Sequence, residues 1–161
     1  MKRLIIFSIF TCAFSVFVFA QTNVLGVRVN QKYKSAVEQM KSKATYVSSH
    51  HDEYATWTHF KAQYLGMDCD IEIARMKNFD DVNYICIELP ATSSLNVFMD
   101  VYERLCRLYS ADYDVMSTED TGVYIATTFK SYDGLKIKIS GARPMSSYKE
   151  NLMIFYYSRY F

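Results

Sequence analysis

The strongest constraint in this chain is a pattern that occurs twice: a helical apolar period, followed by runs of alternating residues. Tyr33, Ala36, Val37, Met40 and Ala44 recur at helical spacing, with Lys32, Lys34, Glu38 and Lys41 filling the other face. This predicts a helix over about 31–44. Three strands are expected after it. Between Tyr54 and Leu65, Phe60, Ala62 and Tyr64 fall on one side and Trp57, His59 and Lys61 on the other. Cys69, Ile71 and Ile73 alternate with Asp70 and Glu72. Ile85, Ile87 and Leu89 alternate with Tyr84, Cys86 and Glu88, until Pro90 stops the strand.

The pattern then restarts. Leu95, Phe98, Val101, Tyr102, Leu105, Leu108 and Tyr109 mark a stronger helix over about 94–109, with Thr92, Ser93 and Ser94 as capping candidates. Val123, Ile125, Thr127 and Phe129 read as a strand, Asp133-Gly134 as a hairpin turn, and Leu135, Ile137 and Ile139 as the returning strand. A last strand is expected from Leu152 to Phe161. It is apolar on both sides, as a central strand would be. Helix stripes and half-apolar strands must bury one another. The expected fold is therefore α+β. Two helix-plus-three-strand units, offset by roughly 65 residues, form one antiparallel sheet with both helices on one face. The halves divide at about 24–89 and 90–161 of a single domain spanning 21–161. Val24 to Val29 reads as a first strand or extended lead-in, Asn30 as a helix N-cap, and Gly66-Met67-Asp68 as a turn.

The first twenty residues carry a different signal. Lys2 and Arg3 precede an apolar stretch from Leu4 to Phe19, and Val18 and Ala20 put small residues before Gln21. This reads as a secretory signal peptide cleaved after Ala20, which places the mature protein in the periplasm or outside the cell. The stretch is short for a membrane span, and no later segment is long and apolar enough to cross a bilayer. Cys12 lies inside the apolar run without a small residue before it, so it reads as part of the leader rather than a lipidation site.

Without Lys2 and Arg3 the 18 basic residues fall to 16, against 17 acidic ones. That balance disfavours nucleic acid, which selects clustered cations, and electrostatic membrane binding. Fourteen tyrosines cluster in the strand-like segments. They suit sheet positions where a ring packs and a hydroxyl stays wet. Cys69, Cys86 and Cys106 remain after cleavage, an odd count. Alternation sends Cys69 and Cys86 to opposite sheet faces, which argues against a bridge between them.

The sheet face away from the helices is expected to carry Trp57, His59, Tyr84 and Tyr124, the candidate partner-binding residues. Other constellations have plainer readings. His50-His51-Asp52-Glu53 with His59 has metal-binding chemistry, but its spacing fits a polar loop better than a zinc site. A Cys–His nucleophilic pair through His59 lacks an oxyanion-type glycine turn. Asp70 and Glu72 sit on the wet side of a strand, and no glycine-rich phosphate loop is present. An outer-membrane barrel, suggested by the terminal Phe161, conflicts with two helical periods. The expectation is a non-enzymatic, cofactor-free module that binds a protein or envelope component. A carrier holding a lipid-like or aromatic ligand between sheet and helices is the alternative. A homodimer through an edge strand is compatible with either.

Several stretches carry a resemblance. They are Val24-Leu25-Gly26-Val27 with the helix ending Lys41-Ser42-Lys43, Tyr64-Leu65-Gly66 before Cys69-Asp70-Ile71, and Tyr102-Glu103-Arg104-Leu105 leading to Tyr109 and Tyr113. Together these look like small secreted or periplasmic proteins of Gram-negative gut-type bacteria. At the level of architecture, two helix-then-strands units resemble the β-lactamase inhibitor proteins and, more distantly, small lipoproteins of outer-membrane assembly machinery. The first likeness implies a sheet face that grips a partner protein through aromatic side chains. No two-cysteine loop appears in each half, and fold likeness does not by itself assign function.

Overall fold

The computed structural model describes residues 23–145 and 148–158. The leader read over residues 1–20, and Arg159, Tyr160 and Phe161 of the tail, lie outside the described residues. The chain begins with a small hairpin, β1 (Asn23–Val24) and β2 (Val27–Arg28), turned through Leu25 and Gly26 at positive φ. Then come α1 (Tyr33–Lys41), β3 (Thr45–His51), β4 (Ala55–Tyr64), β5 (Met67–Met76) and β6 (Tyr84–Glu88). The second half follows as α2 (Leu95–Ser110), β7 (Asp114–Asp120), β8 (Tyr124–Lys130), β9 (Lys136–Ala142) and β10 (Met153–Tyr157).

Strands β3 to β10 form one antiparallel sheet in the order β3-β4-β5-β6-β10-β9-β8-β7. The class is α+β, as the double pattern predicts, but each unit is a helix plus four strands rather than three. The missing strands are the two edges. Both β3 and β7 are exposed along their whole length, so no apolar alternation announces them. The last strand does run centrally, between β6 and β9.

The repeat offset is 69 over the helices and first strands, not 65. Tyr33, Thr58 and Ser49 have the counterparts Tyr102, Thr127 and Thr118. In each half the tyrosine hydroxyl meets the threonine hydroxyl at 2.7 Å, and that threonine meets an edge-strand hydroxyl. Both edges carry an irregularity at the same place, Tyr46/Ser48 and Val115/Ser117. Each such bulge sharpens the local twist and interrupts the row of backbone groups that another strand would need.

The helices are held by the stripes the sequence shows. Tyr33, Ala36 and Met40 of α1 and Phe98, Tyr102, Leu105 and Tyr109 of α2 are buried against Phe60, Ile71, Ile73, Ile85, Ile87, Phe129, Ile137, Ile139 and Ile154. Each fully buried Ile, Leu, Phe or Met among them contributes about 1.5–3 kcal/mol by leaving water. A nine-residue helix is marginal alone, so α1 owes its order to this packing. Ser94 caps α2 by accepting from the Val97 amide at 3.4 Å. Asn30 is not the cap of α1: it sits at φ 66 and bonds Val82, and the cap position falls to Lys32. The β4–β5 turn is Leu65-Gly66, both at positive φ, one step earlier than Gly66-Met67-Asp68.

Three buried phenols join the halves. Tyr64 of β4 meets Tyr156 of β10 at 2.8 Å and Tyr109 of α2 at 3.3 Å, and Tyr109 also bonds Tyr156. Three hydroxyls offer three donors and ample acceptors, so the cluster satisfies itself inside the core. Burial above all pushes the Tyr109 and Tyr156 phenols well above their usual range. Among the described residues no buried side-chain nitrogen or oxygen lacks a partner.

Candidate functional site

Strand alternation fixes what the face away from the helices displays. The register His59↔Glu72↔Cys86↔Phe155↔Lys138↔Thr128 makes one row across the sheet. The row on one side holds His50, Trp57, Ala74, Tyr84, Tyr157, Lys136 and Lys130. The row on the other holds Lys61, Asp70, Glu88, Met153, Ser140 and Ala126. Most of this open face is half-buried to exposed, Ala74, Ser140 and Ala126 being buried beneath their larger neighbours, and no helix packs over it among the described residues.

Three of the four candidate residues meet. Trp57 donates its indole N–H to the Tyr84 hydroxyl at 3.0 Å, and Tyr84 donates to Glu72 Oε1. The other Glu72 oxygen lies 3.2 Å from His59 Nε2. His59 reaches His50 Nδ1 at 3.2 Å, and the His50 ring stacks on Trp57 with centroids 4.7 Å apart. Each side chain is thus held by its neighbours. Burial, then the bond to Glu72, drives the Tyr84 phenol well above its usual range, so it stays a neutral donor. The His59–Glu72 pair is partly exposed and contributes at most about 1 kcal/mol of stability.

Tyr124 shares the face but not the cluster. It pairs with Ala142, toward the far corner of the second half, where Lys138 Nζ lies 5.6 Å from its ring centre. There it lines a shallow hollow of about 650 Å³ with Lys138, Glu88, Asn151, Phe155 and Tyr157. Phe155 and Tyr157 stack side by side, 5.7 Å between centroids. The sequence could not join Tyr124 to the other three or separate it from them, because the strand order decides and is not written in alternation. Glu72, which alternation puts on the wet side of its strand, and Phe155, Tyr157 and Lys138 join the face without being among the candidate residues. Pairing β4 with β5 through a two-residue turn would have placed Glu72 beside His59.

The histidine run is not the loop it resembles. His50 and His51 end β3, and Asp52 closes the hairpin by accepting the amides of Tyr54 at 2.7 Å and Ala55 at 2.9 Å. His51 turns to Thr56 at 3.0 Å. Among the described residues no three His, Cys, Asp or Glu side chains are grouped to hold a metal ion. Cys69, Cys86 and Cys106 are free thiols. Cys86 follows Glu72 in the row, and burial followed by Glu72 and Glu88 pushes its thiol up to about 12. Cys69 rises to about 11 and Cys106 also rises, both chiefly by burial. All three shifts favour the protonated thiol, the less nucleophilic form.

A second, more apolar hollow of about 320 Å³ lies between α2 and the chain leading into it, lined by Met67, Leu89, Pro90, Val97, Phe98 and Val101. No helix among the described residues is long and apolar enough to cross a membrane. No family model, curated protein or solved structure matches this chain.

Proposed function

We propose that this protein is a recognition module that binds a protein partner through the open face of its sheet. The observation that carries the reading is the uncovered patch of aromatic and polar side chains that runs from His50 and Trp57 through Tyr84 to Tyr157, with Phe155 stacked beside it from the next row. Such a surface offers area at little cost in side-chain entropy, because its rings are held by their neighbours. The protonated thiols favour binding over thiol-based chemistry.

Cross-linked affinity capture with the tagged protein tests this. A specific protein should be enriched by the wild type and lost with Phe155→Ala and with Trp57→Ala, each variant keeping its circular dichroism and melting temperature. Capture untouched by either change would move the binding surface off this face.

A carrier role is the second reading, favoured by the apolar hollow beside α2. Its volume is near the lower end for small-ligand sites, about 300 Å³. Native mass spectrometry of protein taken directly from its cell would show a retained small molecule, and Val97→Trp would expel it. Bare polypeptide would remove the reading.

A further inference from the structure

The two halves of the open face carry opposite charge at equivalent positions. Ile71 and Ile73 of β5 correspond to Ile137 and Ile139 of β9, since Phe60 faces Ile71 as Phe129 faces Ile137. The residues between and beside them on the open face are Asp70 and Glu72 in the first half, and Lys136 and Lys138 in the second. Acid has become base at both positions of an internal repeat. Burial does not demand this, for the four stand on the wetter side of their strands.

Geometry gives the inversion a use. Glu72 and Lys138 lie in the same row, with Cys86 and Phe155 between them on the two central strands. They are three strand spacings apart, about 14 Å, and symmetric about the boundary between β6 and β10. Lay a second copy face to face on the first, related by a two-fold axis parallel to the strands. Strand β5 of each then opposes β9 of the other, so Glu72 meets Lys138 twice and Cys86 meets Phe155 twice. In the neighbouring row Trp57 opposes Lys130, a cation over an indole, and Tyr84 opposes Tyr157. Turn the axis perpendicular to the strands and the halves meet like with like: Glu72 against Glu72, Lys138 against Lys138. Opposite charge selects the first arrangement and rejects the second.

We infer that the partner of the open face is a second copy of this chain, docked face to face as a two-fold dimer through Glu72–Lys138 pairs around a Phe155, Tyr157 and Tyr84 centre. The inference rests on the binding-face reading and names its occupant. Six inner strands of five to ten residues, roughly 24 Å long on average, present roughly 700 Å² per copy in projection, the order of the 800 Å² per partner of a standard stable interface. A two-fold contact of this kind closes on itself and leaves both bulged edges out of the assembly.

Sedimentation equilibrium of the purified protein, from 1 to 500 μM as working concentrations, tests it, read with hydroxyl-radical footprinting of Phe155 and Trp57. The expected result is a monomer–dimer equilibrium that weakens as salt is raised and shields Phe155 and Trp57. Lys138→Glu should raise the dissociation constant at least tenfold. Glu72→Lys should do the same. Mixing the two single variants should restore a dimer, because every Glu72–Lys138 contact is then opposite in charge across the mixed pair. Rescue by mixing cannot come from misfolded chains. A wild type that stays monomeric throughout overturns the inference, while capture of another protein through Phe155 and Trp57 would keep the binding-face reading intact. A dimer that leaves Phe155 labelled, or ignores Lys138→Glu, also overturns it. Failure of both the dimer and the capture would overturn the binding face itself.

Discussion

The helix side of the sheet and its open side have diverged to different degrees between the two halves. On the helix side the halves match in detail: Tyr33–Thr58–Ser49 repeats as Tyr102–Thr127–Thr118, and Phe60 as Phe129. On the open side Trp57, His59 and Glu72 stand where the second half has Ala126, Thr128 and Lys138. Packing tolerates little change where side chains interlock. A surface away from the core carries no such demand and is free to differ between the halves. One departure on the helix side is equally informative. Arg75 of the first half lies over the Tyr33 ring, whereas its counterpart is Gly141. A Cβ on Gly141 would come within 2.5 Å of the Asn151 carbonyl oxygen and 3.1 Å of the Phe98 ring. Helix α2 and the approach to β10 sit closer to the sheet there than anything does over Arg75.

The largest break in this comparison comes at the seam. Tyr156→Ala removes a fully buried ring and one member of the phenol cluster, and should cost about 3–5 kcal/mol. Urea unfolding of the variant checks this. A single shifted transition by both tryptophan fluorescence and circular dichroism would mean that the halves stand or fall together; two separated transitions would mean that they do not. Gly141→Ala should cost about 1–3 kcal/mol by overpacking, whereas Arg75→Ala should stay near 1 kcal/mol or less, since it removes one partly exposed cation from a ring. Equal melting temperatures for the two variants would contradict the closer approach in the second half.

A smaller effect separates the phenols by pH. Burial raises Tyr102 and Tyr113 to about 12, and lifts Tyr33 as well. A folded value above the unfolded one near 10 means that the unfolded chain loses its protons first. Their contribution is complete below pH 10 and declines as pH rises through the folded values. Urea midpoints should therefore fall between pH 10 and 12, and both Tyr33→Phe and Tyr102→Phe should flatten that slope. A slope unchanged by either variant would mean that these hydroxyls are not held as described.

Much of this architecture was legible in the residues, and the parts that were not share a cause. Both helices and the inner strands announce themselves because half their side chains are apolar and buried. The edge strands β3, Thr-Tyr-Val-Ser-Ser-His-His, and β7, Asp-Val-Met-Ser-Thr-Glu-Asp, bury neither side. Their pairing comes from neighbours, and a bulge in each breaks the period of two. The repeat offset of 69 is hidden for the same reason, since Ser49 and Thr118, the matching edge hydroxyls, lie on these two strands. Trp57, His59 and Tyr84 were found on their shared face by alternation alone. That they touch, and that Tyr124 does not join them, depends on strand order and register. Lys138 and Phe155 became visible only when the two halves were laid side by side in one sheet.

The position of β10 has a consequence for how the molecule is made. Strands β3 to β6 can pair as they emerge, and so can β7 to β9, each as a run of sequence neighbours. Neither run pairs with the other until β10, the last described strand, enters between β6 and β9. Until then each partial sheet has a bare inner edge rich in Ile and ready to pair with the wrong chain. Commitment to the native topology is a late, long-range event, the kind that slows folding and lengthens exposure. A chain that ended before Met153 would leave two half-sheets with no strand to join them.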